Sequence, residues 1–492
     1  METIHLKTID PISQELISSA SQRGIELPWE RNEKLQPQDG FLRLGLSCPF
    51  GCMQGPCRID PFERGPGKGV CGLERDEMVA GMLLRLCLKG AMDACGLAPS
   101  LDGLPKVQFS ATLGKMISPI LVKNNQPELS IEDIFKASTY LHRPSSTYQQ
   151  LISQSLRVSL LTLGFLEQAL EETGSDPIEF RAGYGTIAGH SLRIGFSGQP
   201  SAQLVQALEL ESTKDSNKPV SLVSLGEWIL LKNQFMPMAC TSGESELLVS
   251  SGAIHLLVAG PGTDPGLIAM CRQLNVPVVS STDISEPSSV LDKARKVHAT
   301  LSQAPLFADT SPVGEGQVLM SEETISQIFK SSSKAKLAIV GGSDTLQLSL
   351  GRLPVELARK LCDKEIQTAS WGDAALWMSK NGLTTKEQKM PLLTLENHQG
   401  PLLAVKGLAG SGHLDNLQGI CFTGLKSCSD LAMGLGLAYL GCNVNVAGPI
   451  PILGSQAVSN TLAEMLQDNG GQLKQYDHPV QTQEIIDWFI NL

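Results

Sequence analysis

The sequence predicts an α/β protein: a helical amino-terminal domain followed by two Rossmann-like domains built on parallel sheets. Three observations carry this reading. Apolar residues recur at helical spacing through residues 1–185. Short β-branched runs then alternate with helical stretches. Several of those runs end in glycine-rich turns, which is how parallel strands hand over to their crossover helices. The expected division is 1–188, 189–330 and 331–492.

The elements follow in order. "DPISQELISSASQRG" opens on an Asp-Pro pair suited to starting a helix. "RDEMVAGMLLRLCLKGAMDAC", "SIEDIFKASTYL" and "TYQQLISQSLRVSLLTLGFLEQALEET" keep the same periodicity, and no strand-rich segment interrupts them. From about residue 190, "SLRIGFSG", "PVSLVSLG", "IHLLVAGPG" and "VPVVSST" read as strands, the last two flanking a helix in one βαβ unit. The polar runs "LFADTSPVGEGQ" and "KSSSKAK" suggest a linker. A second set of strands follows in "KLAIVGGSD", "EIQTASWGD", "LQGICFTG" and "NVNVAGPIPILG". Ligands of open parallel sheets lie beyond the carboxyl ends of the strands, so these glycine-rich ends are where a site is expected. None has the G-x-G-x-x-G spacing of a dinucleotide fingerprint.

Composition narrows the function. Hydrophobic residues at 42% against 18% charged exclude a disordered chain. A net charge of −11 disfavours nucleic acid and anionic membranes as partners. The apolar tract "DLAMGLGLAYLGCNVNVAGPIPILG" is broken by Asp430, Asn443 and Asn445, and reads as a buried helix running into a strand rather than a membrane span. "METIHLKTIDPISQ" lacks the basic and apolar regions of a secretory signal, so a cytoplasmic location is expected. In a reducing compartment, clustered cysteines read as metal ligands before disulfides.

Four of the twelve cysteines lie in "CPFGCMQGPCRIDPFERGPGKGVCG", spaced Cys48-x3-Cys52-x4-Cys57-x13-Cys71. An iron–sulfur cube takes four thiolates, and a loop supplying three of them must turn tightly, as Gly51, Gly55 and Pro56 allow. Arg58 and Lys68 would partly offset the negative charge, and Cys71 precedes a helix. A structural zinc site and four unrelated buried thiols are the alternatives, although zinc usually takes two close pairs.

"GLSCPFGCMQGPCRIDPF" followed by "GVCGLERDEMVAGMLLR" resembles the amino-terminal cluster segment of the anaerobic nickel–iron carbon monoxide dehydrogenase catalytic subunits, within the hybrid-cluster-protein-like superfamily. "DPISQELISSASQRGIELPWERNEKLQPQDGF" is similar to the opening helix of that family, and a weaker similarity reaches "ILGSQAVSNTLAEML". The resemblance implies one 4Fe–4S relay cluster per chain on Cys48, Cys52, Cys57 and Cys71. The family has two residues between the first two cysteines; the three here require Pro49-Phe50-Gly51 to bulge outward.

Other family features are missing. The two cysteines of its dimer-bridging cluster fall on Asp39 and Ser47, whose oxygens are poor substitutes for thiolates. Its catalytic nickel–iron–sulfur cluster takes one histidine and five cysteines. The matching positions lie near Phe196, Val223, Gly262, Ser343, Trp371 and Gly412, none of them a cysteine, with His413 the lone potential ligand. Nickel is therefore not expected. "KGAMDACGLAPSLDG" lacks the histidines of the family's proton path. Cys240, Cys271, Cys362, Cys421, Cys428 and Cys442 are spread singly and read as buried thiols, as do Cys87 and Cys95, while Met236 and Met238 read as core; convergence of Cys421, Cys428 and His413 is the alternative.

Three functions are weighed. An electron-transfer or other redox protein on this scaffold agrees best with a retained relay cluster. Carbon monoxide dehydrogenase proper needs the missing centre, since the cofactor carries that chemistry. In a non-catalytic scaffold subunit the cluster would be structural. The expected assembly is a homodimer or a subunit of a larger redox complex in an anaerobe, served by a ferredoxin-type carrier.

Overall fold

The computed structural model describes residues 6–35, 40–96, 107–142, 146–168, 177–189, 191–214, 219–231, 234–281, 286–300, 307, 311–331, 336–384, 390, 392–395, 399–476 and 480–492. Thirteen strands form one sheet. In chain order they are β1 (Ile178–Ala182), β2 (Leu192–Ser197), β3 (Val220–Leu225), β4 (Met238–Cys240), β5 (Leu256–Ala259), β6 (Val278–Ser280) and β7 (Gly314–Leu319), then β8 (Leu337–Gly342), β9 (Gln367–Ser370), β10 (Leu393–Leu395), β11 (Leu417–Gly424), β12 (Asn443–Val446) and β13 (Gln472–Lys474). Across the sheet they run β13-β12-β11-β8-β9-β10-β7-β1-β4-β3-β2-β5-β6. All neighbours are parallel except β1 and β7. Both halves are therefore α/β and Rossmann-like, and an antiparallel seam joins them into one surface. β2 and β8 are buried on both faces, which is why they read as unbroken apolar runs.

Two segments depart from expectation. Residues 1–185 are not free of strands, because β1 lies at 178–182; and the supposed linker contains β7. The reason is physical. β1 alternates buried and exposed positions, with Glu179 and Arg181 facing out. Arg181 Nε pairs across the seam with Glu315 Oε1 at 3.1 Å. Gly316 is a glycine because a Cβ there would come within 2.7 Å of the Phe180 ring. A half-exposed pair rich in charge and glycine does not announce itself as strand. Most of "KSSSKAK" lies outside the described residues.

The helices fall as expected. Asp10 caps Pro11–Gln22 by accepting a hydrogen bond from the Ser13 N–H at 2.9 Å. Arg75–Gly96 and Tyr148–Gln168 pack together and against Cys428–Tyr439, forming the largest hydrophobic core. Gly90 lets the first of these approach closely: a Cβ there would meet the Cys428 carbonyl oxygen at 2.3 Å. Nearby, the buried Arg157–Asp133 pair at 2.9 Å is completed by the Pro127 and Glu128 carbonyls, so neither guanidinium edge is left unsatisfied. The Gly-rich tract is a helix, Cys428–Tyr439, running into β12. Among the described residues no helix is long and apolar enough to cross a membrane.

Strand order reverses twice, between β2 and β5 and between β8 and β11. At such points the crossover helices diverge and open a crevice beyond the strand ends. The fold sets one crevice in each half.

Candidate functional sites at the cysteine loop and the strand ends

The cysteine loop closes on a short antiparallel strap. Ile59 N–H donates to the Leu46 carbonyl at 3.0 Å and Cys48 N–H to the Cys57 carbonyl at 2.9 Å, with Ser47 bridging Arg58. Cys48 and Cys57 are thus held side by side. Gly51 takes φ +64°, a conformation that carries the three-residue insert Pro49-Phe50-Gly51 through its turn. Burial pushes the Cys48 thiol up, a backbone hydrogen bond from Phe50 pulls it down, and the nearby Cys57, Cys52 and Cys71 thiols push it up again. All four sulfurs therefore share one neighbourhood. Val70 N–H donates to Cys57 Sγ at 3.5 Å. Cys52 and Cys71 are exposed, and Cys48 and Cys57 half-buried. Among the described residues no three Cys, His, Asp or Glu side chains converge on a point fit for one ion. Four thiols in one neighbourhood, two of them with backbone N–H groups turned onto sulfur, suit a larger inorganic cluster better than a single ion. Of the expected counter-charges, Lys68 is taken by Glu74 at 2.6 Å, and Arg58 lies 4.9 Å over the Phe41 ring. Asp39 lies outside the described residues.

The remaining cysteines are dispersed. Burial pushes Cys87, Cys271 and Cys442 up to about 12, as befits inert core thiols. Cys240 and Cys421 are buried, and Cys95, Cys362 and Cys428 half-buried. Met236 and Met238 are core. His413 precedes β11 and Cys428 follows it, so the strand separates them by its whole length, and they form no ligand group with Cys421.

None of the residues that the sequence resemblance set near the family's catalytic ligands is a thiol, and their surroundings differ. Phe196 and Val223 are core, Trp371 packs on Phe422 with ring centroids 5.2 Å apart, and Gly412 caps a helix at φ +74°. Gly262 N–H and Ser343 N–H bond to the carbonyls of Gly198 and Gly424. Just past the strand ends, carboxylates occupy the turns. Glu227 accepts the Gly198 N–H at 3.2 Å after β2. Asp373 accepts Ser242 N–H at 2.9 Å and Asp344 N–H at 3.0 Å, and also the Ser242 hydroxyl. Ser242 belongs to the first half and Asp344 to the second, so this carboxylate ties the halves together. Asp344 in turn accepts Trp377 Nε1–H at 2.8 Å and lies 2.5 Å from Thr241 Oγ1. Thr241 continues to Glu244, which is held by Lys380 and by Ser13 Oγ at 2.7 Å.

Proton placement in this chain follows from counting. Thr241 Oγ1 has one hydrogen but faces Glu244 Oε2 at 3.2 Å and Asp344 Oδ2 at 2.5 Å. It donates to Asp344 Oδ2 at the shorter distance, while Glu244 is served by Lys380, the Ser13 hydroxyl and the Thr241 N–H. Burial first, then the Asp373 charge, nevertheless drives the Asp344 carboxyl well above its usual range and toward the protonated form. Because the folded form holds a proton that the unfolded chain releases near about pH 4, this contribution is complete below that pH and is lost as pH rises through the raised folded value. Asp344→Asn mimics the protonated acid. It is expected to melt higher than the parent at about pH 8, with the advantage shrinking toward about pH 5. Differential scanning calorimetry across that range checks it; a constant difference would refute the assignment.

Sequence reasoning had not singled out Asp344, Asp373, Glu227, Glu244 or Lys380. A signal was present: "SLGE", "TSGE", "GGSD" and "SWGD" each place an acid one or two residues after the glycine of a turn.

No family model matches the chain. Carbon monoxide dehydrogenase 1 of Methanosarcina mazei is 48% identical over 90 residues, 18% of this chain and 14% of that protein. Carbon monoxide dehydrogenase 1 of Carboxydothermus hydrogenoformans is 46% identical over 84 residues, 17% of this chain and 13% of the relative. The matched stretch thus spans about a seventh of these relatives' length. Solved structures extend the likeness. Carbon monoxide dehydrogenase IV from Carboxydothermus hydrogenoformans superposes with a TM-score of 0.79 at 18% identity over 99% of both chains. The nickel-free carbon monoxide dehydrogenase from Thermococcus sp. AM4 gives 0.81 at 18%, over 99% of this chain and 98% of that one. The chain therefore carries the fold of these carbon monoxide dehydrogenase structures from end to end, and in one stretch of about 90 residues its sequence is similar to that of carbon monoxide dehydrogenases.

Proposed function

We propose that this chain is an iron–sulfur redox protein on the carbon monoxide dehydrogenase scaffold. It holds one 4Fe–4S cluster on Cys48, Cys52, Cys57 and Cys71 and has no nickel–iron centre. The observation carrying this reading is the contrast between two places in one molecule. At the amino-terminal loop four sulfurs share one neighbourhood, with backbone N–H groups turned onto two of them. At the strand ends, carboxyl and hydroxyl groups bond to one another where thiolates would be needed.

When bound, such a cluster supplies a one-electron store. The Phe50 and Val70 N–H groups stabilise negative charge on the sulfurs and so tune its potential. Exposed Cys52 and Cys71, with Met53 at 96% and Val70 at 75% exposure beside them, offer a short path to a partner. That partner is a ferredoxin-type carrier, a second copy or another subunit; one solved relative is a combined acetyl-CoA synthase/carbon monoxide dehydrogenase, which favours a place in a larger complex. The reading includes a reducing cytoplasmic compartment and domains at 1–188, 189–330 and 331–492, with the β1–β7 pair as the seam.

The test is metal and sulfide analysis of anaerobically purified protein, with electron paramagnetic resonance of the reduced sample. About four irons per chain, no nickel and the signal of one reduced cubane are expected. Nickel with about eight or more irons, together with CO oxidation, would restore the dehydrogenase reading; zinc in the loop would remove the redox role.

A further inference from the structure

The crevices of the two halves open toward each other on a single cavity of about 350 Å³. Its wall takes Ser197 from the end of β2, Asp264 from the turn after β5, Asp344 from the end of β8 and Lys426 from the end of β11. Every strand flanking a reversal of order contributes, so topology alone marks it as a ligand site. The rest of the wall is part aliphatic, with Leu35, Leu225, Leu267 and Leu346, and part polar, with Asn32 and Ser245 among its members.

One lining group is incomplete. Glu246 is 5% exposed, and its Oε1 takes Arg31 Nη2 at 2.6 Å. Its Oε2 is buried with no hydrogen-bond partner. The neighbouring donors are committed: Gly266 N–H goes to Asp264 Oδ1 at 2.7 Å and Arg31 Nη1 to the Glu26 carbonyl at 3.1 Å. These groups meet closely, since a Cβ on Gly266 would lie 2.6 Å from Glu246 Oε1 and 3.1 Å from both Arg31 Nη2 and Asp264 Oδ1. A buried carboxylate oxygen without a donor is costly, and a cationic N–H donor satisfies both its lone pair and its charge.

The sign of the ligand follows from the rest of the wall. Glu246 and Asp264 line the cavity beside Asp344, which burial holds toward its neutral form, and the carboxylates of Glu227 and Asp373 stand just behind it. Both cations of the wall already face acids, Arg31 toward Glu246 and Lys426 toward Glu227 at 3.6 Å. An anion would find no free positive partner here. A metal ion is disfavoured too, because among the described residues no three ligating side chains converge. We infer that this cavity binds a small organic cation, a primary ammonium head on an aliphatic body, with the head on Glu246 Oε2 and the body along the leucine wall. This deepens the reading that no metal centre fills the space between the halves, and it rests on that reading.

The test uses the full chain with three matched probes, n-butylammonium, n-butyrate and 1-butanol, followed by saturation-transfer NMR and calorimetric titration. Butylammonium is expected to bind at least about tenfold more tightly than the other two, the scale on which one buried charge-assisted hydrogen bond discriminates. Glu246→Gln should remove that preference by a similar factor. Leu346→Trp, which keeps the carboxylate but fills the aliphatic wall at a half-exposed position, should abolish binding even if the first variant folds poorly. Preference for butyrate, equal binding of all three, no binding, or butylammonium binding unchanged in both variants each overturns the inference. Metal analysis of the same sample separates the two failures: nickel present sinks the functional reading and this one with it, while a nickel-free sample that ignores butylammonium sinks this one alone.

Discussion

Cys57→Ser is expected to strip the amino-terminal loop of iron, from about four atoms per chain to fewer than one. Cys57 is the anchor of the loop's geometry. Its carbonyl receives the Cys48 N–H at 2.9 Å, and its sulfur receives the Val70 N–H at 3.5 Å, so it links the strap to the segment that carries Cys71. The fit around it is close: a Cβ on Gly69 would stand 3.6 Å from its sulfur and 2.9 Å from Met78. Serine fits that space, but its oxygen is a hard and weakly acidic ligand that holds iron poorly. Because ligand binding by a loop is also folding free energy, the variant's melting temperature should fall as well. Cys95→Ser is the control, a thiol pushed up by burial on the neighbouring helix, and it should keep its iron. A Cys57→Ser protein with full iron and an unchanged spectrum would refute the ligand set.

Lys380→Met is expected to destabilise the chain by about 3–5 kcal/mol, the cost of leaving buried charge uncompensated. Lys380 Nζ lies 2.9 Å from both oxygens of Glu244 and 3.2 Å from Asp10, with all three side chains largely buried. It also stands 4.1 Å over the Trp377 ring and 5.1 Å over Tyr184. Burial alone would lower its pKa; Glu244 and then Asp10 outweigh that and hold it above its ordinary value. A raised pKa of this kind contributes stability that is complete below about pH 10 and lost only above it, so the effect is constant across the neutral range. Methionine keeps much of the packing and removes the charge, so the loss reports electrostatics. The three partners come from the amino-terminal helix, the turn after β4 and the helix Gly372–Lys380, so the variant should loosen the join between halves. Lys89→Met, which breaks an exposed pair with Asp93 at 2.8 Å, should change the melting temperature little by comparison. Equal effects in the two variants would show that the buried cation is not needed.

The cysteine loop was legible because its chemistry is local: four thiols, two Gly-Pro pairs and the helix that follows all lie within residues 48–96. The same holds for helices whose apolar stripe sits in one segment, and for strands such as β2 and β8 whose continuous burial leaves a run of apolar letters. β1 and β7 were missed because a strand with one exposed face takes its identity from its partner. Glu179 and Arg181 become strand residues only beside Gln317 and Glu315.

The inner site was hidden for the same reason on a larger scale. Each glycine-acid turn is an ordinary turn when read alone. Thr241, Asp344 and Asp373 stand far apart along the chain and become one hydrogen-bonded group only when the two halves share a sheet. The sequence by itself determined where thiols cluster and which segments coil or extend, since those depend on neighbours a few residues away. Tertiary structure decided that carboxyl and hydroxyl groups from the two halves meet beyond the strand ends, because the energy of a buried carboxylate depends on donors that only the folded chain brings within reach.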